Sequence, residues 1–127
     1  MAIKSFSDLI VWQKGHAFVL EIYIITSKFP KEELYGLTSQ IKRAVISITS
    51  NIAEGFVRHF KKEKIQFYYV SLGSITEVQN HLLIARDLHF ITADQFNFLN
   101  DRANEIAKMI NSLIRSINNS QLLSTNY

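Results

Sequence analysis

The sequence predicts an all-α fold, an antiparallel up-down-up-down four-helix bundle. Three observations predict it. Helix breakers are scarce: Pro30 is the single proline, the glycines are four, and no Asn-Gly or Asp-Gly hairpin signal occurs. Apolar residues recur at three- and four-residue steps in four successive blocks. Short connections join the blocks, so sequential helices run antiparallel.

The first block spans about 8–28. Ser7 is its expected N-cap, with Asp8 favourable in the first turn. Its stripe is Leu9, Trp12, Val19, Ile22, Tyr23 and Thr26. Phe29-Pro30 ends it, because a residue before proline disfavours the helical region. A loop reaches about Gly36. The second block spans about 37–58, with Leu37, Ile41, Ala44, Val45, Ile48, Ile52, Ala53 and Phe56 on one face. The third spans about 61–88 and carries Ile65, Tyr68, Tyr69, Leu72, Ile75, Leu82 and Ala85. At a rise of ~1.5 Å per residue it is about 40 Å long. The fourth spans about 92–118. Thr92-x-x-Gln95 has capping-box spacing, and Ile91 is placed to staple on Phe96. Phe96, Leu99, Ala103, Ile106, Met109, Ile110, Leu113 and Ile117 continue it. The Ser/Asn-rich tail 119–127 is expected to fray.

The 127 residues make one domain, 1–127, with enough chain to bury a core without staples. Hydrophobic residues at 47% and charged residues at 20% fit a globular chain. Cysteine is absent, which excludes disulfides, thiolate catalysis and cysteine-ligated zinc. The N-terminus lacks a basic start followed by an apolar run, and no apolar stretch approaches the ~20 residues of a membrane span. The expectation is a soluble, cytoplasmic protein with no membrane partner.

The formal net charge is +3, and the excess sits in one place. Between Lys42 and Lys64 there are six basic residues against two acidic, a net of +4. Clustered Lys and Arg neutralise phosphates and release counterions. Arg43, Arg58, Lys61, Lys62 and Lys64 are therefore the candidate contacts to RNA or DNA. Phe60, Phe67, Tyr68 and Tyr69 are aromatic candidates for base stacking. The plainer reading makes this stretch a solvated helix turn with core aromatics.

A second signal lies in Ser47-Ile48-Thr49-Ser50-Asn51-Ile52-Ala53-Glu54-Gly55, where small and polar residues interrupt an apolar helix. Ser47, Asn51, Glu54 and Arg58 share a face. Gly73, Ser74 and Glu77 are the counterpart in the third helix, with Asn51 and Glu54 expected to approach Ser74 and Glu77. One reading is a hydrogen-bonded cluster that fixes helix register, with Gly55 and Gly73 allowing close approach. A second is the polar lining of a subunit interface or pore. A carboxylate metal site would want two Glu-x-x-His motifs. Glu77 and His81 stand at four-residue spacing with no second such pair, so no metal and no cofactor is expected. Nucleophile-elbow, phosphate-loop and His-Glu-x-x-His motifs are all missing, and the chain is expected not to be an enzyme.

Four stretches carry a family resemblance. They are Phe6-x-Asp8-Leu9-x-Val11-Trp12-Gln13, and Phe29-Pro30-x-x-Glu33-x-Tyr35-Gly36-Leu37-Thr38-x-Gln40-Ile41-x-Arg43-Ala44. The others are Ser47-Ile48-x-x-Asn51-Ile52-Ala53-Glu54-Gly55, and Phe67 followed by Gly73-Ser74-x-x-Glu77. Together they resemble the bacterial four-helix-bundle family named for open reading frames in intervening sequences of 23S ribosomal RNA, also labelled S23-type. The resemblance implies an up-down-up-down bundle that assembles as a homopentamer. Accessory proteins of diversity-generating retroelements, a related group, bind nucleic acid through a basic pentameric surface. The chain departs from the pattern at Thr49, where proline is common, and at Phe56-Val57. The alternative function is a protein–protein assembly scaffold without a nucleic-acid role, with Phe18, Phe56, Phe60, Phe67, Phe90 and Phe98 as candidate exposed anchors.

Overall fold

A computed structural model of the chain describes residues 2–119. Among these residues there are four α-helices and no strand: α1 Ile10–Thr26, α2 Leu37–Val57, α3 Lys61–Asp87 and α4 Ala93–Asn119. Each helix packs on its two neighbours. α1 and α3 sit diagonally across the bundle, as do α2 and α4. The α2–α3 pair is joined most extensively and α1–α4 least. The expected tail begins at Asn119, which is the last residue of α4. The rest of it lies outside the described residues.

The start of α1 differs from the expectation. Ser5, not Ser7, is the cap, and it heads a 3-10 turn over Phe6–Asp8. The Ser7 N–H donates to Ser5 Oγ at 3.3 Å, while Lys4 and Ser5 N–H groups donate to Asp8 Oδ2 at 2.9 and 3.0 Å. This reciprocal capping box consumes Asp8. Leu9 is then extended, and α1 opens at Ile10 without a side-chain cap.

The buried stripe of α1 is Val11, Gly15, Phe18, Ile22 and Thr26. It is rotated from the expected one: Trp12 and Val19 are half-buried and Tyr23 is exposed. Gly15 explains the rotation. A Cβ there would stand 3.0 Å from Thr49 Cγ2, so α1 leans on α2 through its smallest residue. Phe18 consequently lies in the core at 1% exposure and is no surface anchor.

In α2, Ile41, Ala44, Val45, Ile48 and Ile52 are buried as expected and Thr38 and Gly55 join them, while Leu37, Ala53 and Phe56 are only half-buried. In α3 the buried set is Tyr68, Ser71, Ser74, Ile75, Val78, Leu82 and Ala85. Tyr69, expected inside, is 55% exposed. Consecutive residues lie ~100° apart on a helix, and here Tyr68 turns onto Gly55 of α2 while Tyr69 turns outward. The two helices meet closely at Gly55, where an added Cβ would lie 2.5 Å from Tyr68 Cε1. Gly73 is different. It faces outward, and a Cβ there meets nothing within 4 Å.

Both ends of the α3–α4 connection are capped. Phe90 N–H donates to Ala85 O at 2.8 Å and His89 N–H to Arg86 O at 3.0 Å, with His89 at φ 64°. This pairing is a Schellman closure. The capping box at α4 forms as expected, with Thr92 N–H on Gln95 Oε1 at 2.9 Å and Gln95 N–H on Thr92 Oγ1 at 3.0 Å. Ile91 and Phe96 are both buried beneath it.

Candidate nucleic-acid interface

The α2–α3 register decides which polar residues meet. The buried Ser71 hydroxyl donates to Ile48 O at 2.8 Å. One turn on, Ser74 Oγ lies 2.8 Å from Ser47 Oγ, and Asn51 Nδ2 donates to both Ser47 Oγ (3.0 Å) and Ser47 O (2.8 Å). Ser47, Asn51 and Ser74 thus form one hydrogen-bonded cluster between the helices. Glu54 and Glu77 stand outside it. With Ser47 facing Ser74, an antiparallel pairing carries Glu77 level with Ala44, a turn beyond the cluster and away from Glu54. Glu54 pairs instead with Arg58 at 2.8 Å, and Glu77 with His81 at 3.2 Å, each along its own helix. Among the described residues, no group of three or more His, Asp and Glu is placed to hold a metal ion.

The basic residues separate in the same way. Arg43 is exposed on α2, fifteen positions before Arg58, which is about 22 Å along the helix. Proximity in sequence does not put it in the patch. Arg58 pairs with Glu54, and its guanidinium lies 4.7 Å over the Phe67 ring. Lys64 is committed to the fold. Its ammonium donates to Phe56 O at 2.7 Å and Gly55 O at 3.2 Å, closing the C-terminus of α2. Burial lowers its pKa from the ordinary lysine value. Lys61 and Lys62 are exposed on the first turn of α3.

Of the stacking candidates, Tyr68 is buried at 2% exposure and unavailable. Phe67 and Phe56 are half-buried beneath cations. Phe60 is 70% exposed and immediately precedes α3. The helix order brings two further cations to this end, Lys4 ahead of α1 and Arg115 near the end of α4, both exposed. Sequence reasoning missed them because they lie far along the chain from the basic run. Only the up-down topology joins them to it.

A groove opens at the other end of the molecule between α1 and α4. It holds about 410 Å³, with Ile24, Ile25, Phe98 and Leu99 along its walls and Glu21, Lys28, Asp94 and Gln95 at its rim. Glu21 pairs with Arg102 at 3.5 Å, while its other carboxylate oxygen is buried without a hydrogen-bond partner.

Among known proteins, a family model described as the 23S rRNA-intervening sequence protein matches residues 7–112. The chain belongs to this family. The matched span of the intervening-sequence protein contains the Ser47–Asn51–Ser74 cluster and the Arg58–Lys64 run, and leaves out Lys4 and Arg115. A protein of unknown function from the S23 ribosomal protein family of Bacteroides thetaiotaomicron shares the fold. Its TM-score is 0.78 at 23% identity, over 84% of this chain and 99% of that one. No curated protein matches. No helix among the described residues of this intervening-sequence protein is long and apolar enough to cross a membrane.

Proposed function

We propose that this intervening-sequence protein is a non-enzymatic, homopentameric, cytoplasmic protein that binds nucleic acid through the α2–α3 end of its bundle. The observation that carries the binding reading is the setting of Phe60. This ring, 70% exposed, stands between Arg58-His59 and Lys61-Lys62 at one end of the molecule. Burying the ring inside the protomer would satisfy the hydrophobic effect, yet it projects among cations. An exposed aromatic ring flanked by cations suits an unpaired base and its phosphates together, because stacking and charge neutralisation then act on one nucleotide. Pentameric assembly is the expectation of the family resemblance. It would repeat a modest protomer patch around a symmetry axis, strengthening the local field.

Size-exclusion chromatography with light scattering, run alone and with a ribosomal RNA fragment, tests both parts. The expected mass is about five times the 14.7 kDa protomer. RNA is expected to co-elute at low salt and to separate at high salt. K61E/K62E is expected to abolish co-elution without changing the mass. A pentamer that ignores RNA at low salt overturns the binding reading in favour of the assembly scaffold.

A further inference from the structure

The outer faces of the four helices are not alike. α4 presents Asp101, Glu105, Lys108 and Arg115 to solvent or to neighbouring side chains at its surface, as a solvated helix should. α1 does not. Its only Lys, Arg, Asp or Glu residues are Lys14 and Glu21, and both turn sideways to α4, Lys14 to Glu105 at 3.3 Å and Glu21 to Arg102 at 3.5 Å. The face pointing away from the core is Gln13, Ala17, Leu20 and Ile24, with Leu20 52% and Ile24 67% exposed. α3 repeats the anomaly. Over residues 66–84 its one Lys, Arg, Asp or Glu is Glu77, which is tied to His81. Its outermost line is Tyr69, Gly73, Thr76, Asn80 and Ile84.

Gly73 sits at the middle of that line. Glycine in a helix interior costs ~1 kcal/mol against alanine. At Gly55 a close neighbour accounts for this cost, but at Gly73 nothing within the protomer does, since a Cβ would meet open space. A helix from outside, packed close on this line, would account for it.

We infer that α1 of one protomer docks on α3 of a second copy of this chain, through the Ala17–Leu20–Ile24 face against the Tyr69–Gly73–Ile84 face. The inference rests on the homo-oligomeric reading and deepens it by assigning the surfaces. Four features select a second copy as occupant. The two uncharged faces lie on diagonally opposite helices, so a head-to-tail contact covers both, and a like-with-like contact covers only one. Both helices run in the same direction through the bundle, so protomers side by side with parallel axes bring them together. The faces match in size: residues 10–24 of α1 span about 21 Å and residues 66–84 of α3 about 27 Å. The α1–α4 groove extends the first face beside Ile24 with Phe98 and Leu99.

Two charge-introducing variants test the pairing, Leu20→Arg on α1 and Gly73→Arg on α3. Both point outward, and arginine favours helix more than glycine does, so unchanged far-ultraviolet circular dichroism is expected. Each variant alone is expected to fall to the 14.7 kDa protomer in light scattering. Mixed in equal amounts they are expected to form a two-protomer species, because the mixture retains one intact α1 face and one intact α3 face. Variants that keep the wild-type mass overturn the inference, as does a mixture that stays monomeric or dissociation by Leu20→Arg alone. A monomeric wild-type protein instead overturns the oligomeric reading beneath it, and the inference with it.

Discussion

A methyl group at position 55 would be placed against an aromatic ring that has nowhere to go. The Cβ would stand 2.5 Å from Tyr68 Cε1, and Tyr68 is 2% exposed. Alanine gains up to ~1 kcal/mol of helix propensity over glycine. Overpacking a core site costs ~1–3 kcal/mol. The steric effect wins, and Gly55→Ala is expected to lower the urea unfolding free energy by about 1–2 kcal/mol, read as a lower midpoint at constant slope. Tyr68 itself makes stability depend on alkaline pH. Burial pushes its phenol up from 10.0 to about 12. The folded state therefore keeps a proton that the unfolded chain releases above pH ~10. The contribution is fully present below that value and is lost as pH rises through 12, in all about 3 kcal/mol at ~1.4 kcal/mol per pKa unit. Lys64 acts in the opposite sense. Its lowered pKa penalises the charged folded form, so the penalty is relieved as pH rises through the folded pKa towards 10.5. Unfolding free energies measured from pH 9 to 12 should fall above pH 10 for the wild-type protein. Tyr68→Phe should flatten that fall, and an equal fall in the variant would place the effect elsewhere.

Within α2, the C-terminus is finished by a residue from the next helix. The Lys64 ammonium meets the Gly55 and Phe56 carbonyls, where the helix dipole is negative and carbonyls lack intrahelical partners. Lys64→Met keeps the aliphatic stem and removes these bonds, so a loss of about 1–2 kcal/mol in stability is expected. RNA co-elution at low salt should be unchanged. Lys61→Glu with Lys62→Glu should show the reverse, binding lost and stability within ~0.5 kcal/mol, as for surface substitutions generally. The sequence placed these three lysines in one class because spacing reports position along a helix and not what stands opposite. The same limit explains what else was legible. The four helices and their order followed from periodicity, and the start of α4 from Thr92 and Gln95, because those signals are local. The face of α1 was misjudged because its centre is Gly15, which carries no apolar weight. Ser47, Asn51 and Ser74 were recognised as polar residues facing each other between helices. The inclusion of Glu54 and Glu77 presumed a register that only the Gly55–Tyr68 and Ile48–Ser71 contacts fix. Lys4 and Arg115 were invisible to any local reading.

Across the whole molecule, the surface proposed for binding and the faces proposed for assembly are different. The α2–α3 end carries Phe60 and the exposed cations, while the uncharged faces run along the sides of the bundle on α1 and α3. Side-by-side protomers with parallel axes therefore turn all their basic ends the same way. This arrangement has a quantitative consequence for salt dependence. The slope of log K against log salt counts the phosphates neutralised, at ~0.9 per contact on duplex and ~0.7 on single strands. Removing one lysine from a monomer that meets nucleic acid once changes the slope by about 1. If one RNA crosses several protomers of a ring, a single substitution removes that lysine from every copy in contact. Lys62→Gln is therefore expected to change the slope by clearly more than 1 in the assembled protein. In the Gly73→Arg variant, expected to be monomeric, the change should be about 1 and the affinity lower at every salt concentration. Fluorescence anisotropy with a labelled ribosomal RNA fragment, titrated across a salt series for the four combinations of these two substitutions, separates the cases. Equal slope changes in both backgrounds would mean that each protomer binds on its own and that assembly adds nothing to the basic surface.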